Sequence, residues 1–183
     1  MTKAATGRVP DCGQTSSRPR SRGLFSLLRP RNSRDLRAVG ARPISKEEHL
    51  RLWNIAEGLA TELGVAAPAL WVVKDEGSNS FVSGGSNPVL GFTEEILGSY
   101  TRTELEAVVA HGLARLTRAG KGRVEESGAA DDISAAAVTR YPPALAAALR
   151  KAAPRPDRGS IRWFVPDAAG RTAEARAQEV LDL

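Results

Sequence analysis

The chain has 183 residues, 42 % hydrophobic and 26 % charged, the proportions of an ordinary globular protein, which exclude a wholly disordered chain. Aromatic residues make up only 5 %, so a core must be built from Ala, Val and Leu, and no apolar run approaches the ~20 residues of a membrane-spanning helix. Cys12 is the single cysteine, which excludes intrachain disulfides and thiolate zinc fingers and suits a reducing, cytoplasmic compartment.

The net charge of +5 is unevenly placed. Up to Ser45 there are ten basic and two acidic residues, a net +8, and the remainder carries a net −3. Residues 1–43 are rich in Arg, Ser, Pro and Gly and have no helical or strand period, the composition of a disordered basic tail. Within them Gly23-Leu24-Phe25-Ser26-Leu27-Leu28 is an apolar knot, shorter than a signal-peptide core of ~7–15 residues. Two readings of this tail stay open: a weak peripheral contact with anionic membrane, nucleic acid or an acidic partner, or a solvated appendage.

A domain is expected over residues 44–183. Ser45-Lys46-Glu47-Glu48 has the pattern of a capping box, and Leu52, Trp53, Ala56, Leu59, Ala60 and Leu63 follow at helical spacing before Gly64. Ala69–Val73, Ser80–Ser83 and Val89–Thr93 read as three short strands of a mainly antiparallel sheet. Thr101-Arg102-Thr103-Glu104 is a second capping box, opening a helix with Leu105, Val108, Val109, Leu113 and Leu116 on one face. Residues 129–138 are Ala-rich and helical in character, and Pro142-Pro143 suits a first helical turn running on to Arg150. Trp163-Phe164-Val165 reads as a strand or buried anchor, and Thr172 to Leu181 as a last helix. Helix, sheet and then helices define an α+β fold, a small sheet packed against helices.

The chemistry is concentrated in Glu104-Leu105-Glu106-Ala107-Val108-Val109-Ala110-His111-Gly112-Leu113-Ala114-Arg115-Leu116. This stretch resembles the zinc-binding helix of the HtpX and CAAX-prenyl-protease family of zinc metallopeptidases, which reads E-L-x-A-V-x-A-H-E-x-x-H. Leu63 to Val73 resembles the lead into that family's first strand, and Asn79-Ser80-Phe81-Val82-Ser83-Gly84 its N-A-F-x-x-G strand. Ala130-Asp131-Asp132, with Thr139-Arg140-Tyr141-Pro142-Pro143-Ala144-Leu145 beyond, resembles its E-x-x-A-D helix and the following T-x-x-P-x-x-L. The resemblance covers roughly residues 44–183 and implies a zincin-like domain.

In H-E-x-x-H, two imidazoles one turn apart bind one Zn²⁺, and the Glu between them is general base for the metal-bound water. By this resemblance His111 retains the first ligand position, and Gly112, with no proton acceptor, takes the position of the base. Arg115, a permanent cation without a lone pair, takes the second ligand position, and Gly128 the third. Glu125 and Glu126 come two or three residues too early, so Glu126 and Asp132 are weak substitutes for lost ligands. Two unit charges ~4 Å apart interact by ~4 kcal/mol at an effective dielectric of ~20, so Arg115 beside a divalent ion opposes binding.

The expectation is a pseudoenzyme: no catalytic residue, no bound cofactor, and binding of a peptide or protein partner. The expected groove strand carries Asn79, Ser80, Phe81 and Gly84, exposed for strand addition. An active zinc endopeptidase with a rearranged site is the alternative, and an adaptor acting through its Arg-rich tail is another. For Arg115 two placements stay open, one filling the metal position against Asp132 or Glu126 and one in solvent. Gly112 suits close packing against Trp71 or Phe81.

Overall fold

Strand-forming stretches cluster in the first half of the chain and helix-forming ones in the second, and a computed structural model shows how they pack. It describes residues 33–75, 77–85, 87–120, 128–168 and 170–183. The apolar knot at residues 23–28 and the carboxylates Glu125 and Glu126 lie outside the described residues. In order the elements are α1 (Ser33–Ala38), β1 (Arg42–Pro43), α2 (Leu50–Glu62), β2 (Ala69–Val73), β3 (Ser80–Ser83), β4 (Val89–Thr93) and α3 (Glu94–Ser99). There follow α4 (Arg102–Gly120), α5 (Gly128–Thr139), α6 (Pro142–Lys151), β5 (Ile161–Trp163) and α7 (Ala173–Leu181). None of these helices is long and apolar enough to cross a membrane.

The five strands form one sheet in the order β1-β2-β4-β3-β5. Only the β2–β4 pair is parallel, because a crossover through β3 separates them; the other pairs are antiparallel. The α+β expectation therefore holds. Side chains alternate across the pleat. Leu70, Val72, Val82, Leu90 and Phe92 face the helices and join Val108, Val109, Leu145 and Leu149 in the main core. Val73, Phe81, Val89, Ile161 and Trp163 face the other way and gather around Leu36 of α1. The ring of Phe81 lies over its cross-strand partner Gly91, where an added Cβ would come within 2.0 Å of the ring.

The Thr101 capping box forms as expected: Thr101 N–H donates to Glu104 Oε2 at 2.7 Å, and Glu104 N–H donates to Thr101 Oγ1 at 3.3 Å. At Ser45 only half of the device appears. Glu48 N–H donates to Ser45 Oγ at 3.2 Å, but the Glu48 carboxylate is drawn to Arg42, and the helix starts at Leu50.

The expected boundary at residue 43 is corrected for residues 33–43. They supply α1, whose fully buried Leu36 packs on the far face of the sheet, and β1, the edge strand beside β2. Asp35 accepts from Ser160 N–H at 2.9 Å and from Ser160 Oγ–H at 2.7 Å, fastening α1 to the turn before β5. A six-residue helix with one buried residue carries too little periodicity to be legible in an Arg-rich stretch. Leu36→Ala is expected to destabilise the domain by about 2–5 kcal/mol, the range for a buried leucine. Urea unfolding measures it, and a loss below about 1 kcal/mol would mean that α1 is not part of the cooperative unit.

Candidate functional site

Helix α4 runs beneath the sheet, and its buried stretch from Ala107 to Ala114 carries His111 and Gly112 into the core. Successive residues on a helix point about 100° apart, so the two face different neighbours. Gly112 backs onto β4: an added Cβ would lie 2.5 Å from Leu90 Cδ1 and 3.5 Å from Val82 Cγ1. Close packing explains the glycine as expected, but the partners are Leu90 and Val82 rather than Trp71 or Phe81.

His111 points toward α5 and α7. Its Nε2 lies 3.4 Å from Asp132 Oδ1 and 3.4 Å from Arg176 Nη2. Arg176 is the central group here. It donates to both oxygens of Asp132, at 2.9 and 2.7 Å, and to the carbonyl of Phe164 at 2.7 Å. The Phe164 ring meets His111 edge-to-face at 4.8 Å, with the Arg176 guanidinium 5.5 Å from its centre. Side chains of His111, Asp132 and Arg176 are 2 %, 3 % and 6 % exposed, so this is a charged cluster inside the core.

The sequence reading of the site needs three corrections. Arg115 makes no hydrogen bond or ion pair with Asp132. It donates to the Trp163 carbonyl at 2.8 Å and stands 4.0 Å from Asp131, whose other cationic neighbour, Arg118, is at 3.4 Å. Second, the cation beside His111 is Arg176, a residue that sequence reasoning passed over. It lay within an amphipathic last helix, and the only available signal was an arginine between Ala175 and Ala177 on that helix's apolar side.

Third, β3 is not an exposed groove strand. It is paired on both sides, by β4 and β5, and Asn79, Ser80 and Phe81 are buried, while Gly84 is half-buried beyond the strand end. Asn79 is an internal clamp. Its Nδ2 donates to the carbonyls of Ala153 and Val165 at 2.6 and 2.9 Å, and its Oδ1 accepts from Ser80 N–H at 2.8 Å.

Burial pushes the His111 pKa well below its usual value, reinforced by the positive charges of Arg176, Arg115 and Arg118. Asp132 and Asp131 are pushed up, mainly by burial, against the opposing pull of their arginines. Folded His111 is therefore neutral where the unfolded chain takes up a proton. The His111 contribution to stability is full above about pH 6.5 and falls below it, by at most about 1.4 kcal/mol per unit, until the folded pKa is reached. His111→Asn is expected to flatten this slope in urea midpoints between about pH 6.5 and 5. An unchanged slope would show that His111 already titrates normally in the folded protein.

These residues do not fit a catalytic metal centre. A catalytic zinc site takes three protein ligands, and His111 Nε2 instead stands 3.4 Å from the Arg176 guanidinium and 3.4 Å from Asp132, itself held by that arginine. Gly128 offers no donor, and a side chain there would start 3.5 Å from Arg176 Cζ. Among the described residues no group of three or more His, Cys, Asp or Glu is assembled in metal-binding geometry.

Comparison with known proteins finds partial likenesses to one kind of protease. The chain is 34 % identical over 79 residues to a protease HtpX homolog of Dictyoglomus turgidum, covering 42 % of this chain and 26 % of that protein. It is 36 % identical over 78 residues to an HtpX homolog of Thermococcus sibiricus, 42 % of this chain and 27 % of the relative. For the Bacteroides fragilis homolog the figures are 31 % over 81 residues, 43 % and 25 %. These partial matches support a relationship to HtpX-type proteases. The chain spans about a quarter of the length of the curated relatives it matches. No family model matches it.

Proposed function

We propose that this chain is a metallopeptidase-like domain that acts by binding a peptide or protein partner and does not hydrolyse it. The observation that supports this most directly is the surroundings of His111: its Nε2 has a guanidinium 3.4 Å away where a metal would need to be. Hydrolysis by this fold also needs a base to activate water, and the position after His111 is a glycine pressed against Leu90. The partial likeness to HtpX proteases favours one second reading, an active zinc endopeptidase with a rearranged site.

Elemental analysis of the purified full chain separates the two. The expected result is well under one equivalent of zinc, no chelator-sensitive cleavage of unfolded protein substrates, and an unchanged melting midpoint in chelator. A bound metal would stabilise the folded state by mass action, so a midpoint lowered by several degrees in chelator supports the enzyme. Stoichiometric zinc lost together with cleavage activity establishes the second reading and removes the first.

A further inference from the structure

The segment that covers β3 has the form of a bound peptide. Strand β5 lies antiparallel to β3, with Phe81 opposite Trp163, Val82 opposite Arg162 and Ser83 opposite Ile161, and Phe164 N–H continues the ladder to the Ser80 carbonyl at 2.8 Å. Its side chains alternate as a ligand strand's would: Ile161 and Trp163 enter the far-face cluster, and Phe164 enters the helix-side core against His111. Two successive carbonyls are held by arginines of the site. Trp163 O accepts from Arg115, and Phe164 O accepts from Arg176.

The connection around this strand is separable from the helices it joins. Helices α6 and α7 pack directly on one another, so the stretch between them is not what holds them together. That stretch carries prolines at 154, 156 and 166, with β5 its only described strand. Its outer edge meets no further strand: Ile161 N–H donates to Arg158 O at 2.7 Å, Trp163 N–H donates to Asp157 Oδ1 at 2.8 Å, and Arg115 of α4 holds the Trp163 carbonyl. Asp35 fastens its start through Ser160.

We infer that Ser160–Val165 is a resident peptide in this chain's own cleft, and that an outside ligand binds by displacing it. This rests on the reading of the domain as a binder. The ligand is an extended segment of another protein with an aromatic pair after a basic residue. Main-chain bonds to β3 supply its register, and the two aromatics must refill the space left by Trp163 and Phe164.

The probe is a fluorescent heptapeptide, Gly-Ser-Ile-Arg-Trp-Phe-Val, with its reversed sequence as control. The full chain carrying Asp35→Ala and Asp157→Ala leaves the residues of β3 unchanged and removes two side-chain fastenings of the resident segment, the Asp35 one shared with α1. It is expected to bind the peptide at least tenfold tighter than the unaltered chain, and at least tenfold tighter than the reversed control. Equal affinity in the two proteins, or for the two peptides, overturns the inference. Hydrogen exchange on the unaltered chain gives a second reading should the variant fail to fold. The amides of Arg162 and Phe164 are expected to exchange at least a hundredfold faster than those of β4, through a local opening. Exchange of both strands at one rate, by global unfolding alone, makes β5 an integral strand and overturns the inference. Cleavage of the peptide would instead defeat the non-hydrolytic reading and leave displacement standing.

Discussion

Arg176→Ala is expected to destabilise the protein by about 3–5 kcal/mol, the cost of removing one partner from a buried ion pair. Asp132 would keep a carboxylate that is 3 % exposed with both hydrogen bonds from Arg176 gone, and the Phe164 carbonyl would lose its donor. Arg115→Ala makes the contrast. Its side chain is 25 % exposed, and it gives up one hydrogen bond and a 4.0 Å ion pair, for about 1 kcal/mol. Urea unfolding of both variants ranks them, and a larger loss at Arg115 would mean that Arg115 holds the site. The Arg176→Ala loss has a signed pH dependence. Without its arginine the buried Asp132 has a still higher folded pKa, so the folded state takes up a proton and the deficit shrinks as pH falls through that pKa. Arg176→Ala and Asp132→Asn should be non-additive, since both remove one network.

Gly112→Glu, the substitution that would restore a general base by resemblance, is expected to cost about 3–5 kcal/mol, combining overpacking with burial of an unpaired carboxyl. The first atom of the new side chain already overlaps Leu90, which is fully buried between sheet and helix. Gly112→Ala separates the contributions. It regains about 1 kcal/mol of helix propensity against overpacking of about 1–3 kcal/mol, so its net effect is small. Adding Leu90→Ala to Gly112→Glu should recover stability beyond additivity by about 1 kcal/mol, because the two residues share one space. A Gly112→Glu protein as stable as the parent would show that the helix side chain turns away from β4 into open space.

Much of the fold was legible because it is written locally. The second capping box, the apolar stripe of α4 and the prolines opening α6 need only neighbours within a turn or two, and all three form where the sequence predicts them. What escaped was short or non-periodic: α1 and α3 have six residues each, too few for a period to emerge. The parallel pairing of β2 with β4 was also hidden, since strand order is set by packing of distant segments and not by the strands' own composition.

The site divides in the same way. The sequence by itself determined what some side chains cannot do: those of Gly112, Arg115 and Gly128 cannot bind a metal or accept a proton wherever they lie, because side-chain chemistry does not depend on the fold. Tertiary structure alone decided what stands there instead. Arg176 is 65 residues from His111 and 44 from Asp132, and only the packing of α7 against α5 and α6 brings the three together. Likewise β5 comes from about 80 residues beyond β3, and no pattern within either segment announces that one will cover the other. A contact across such a separation is selected by burial summed over the whole core, a quantity that no local window of sequence contains.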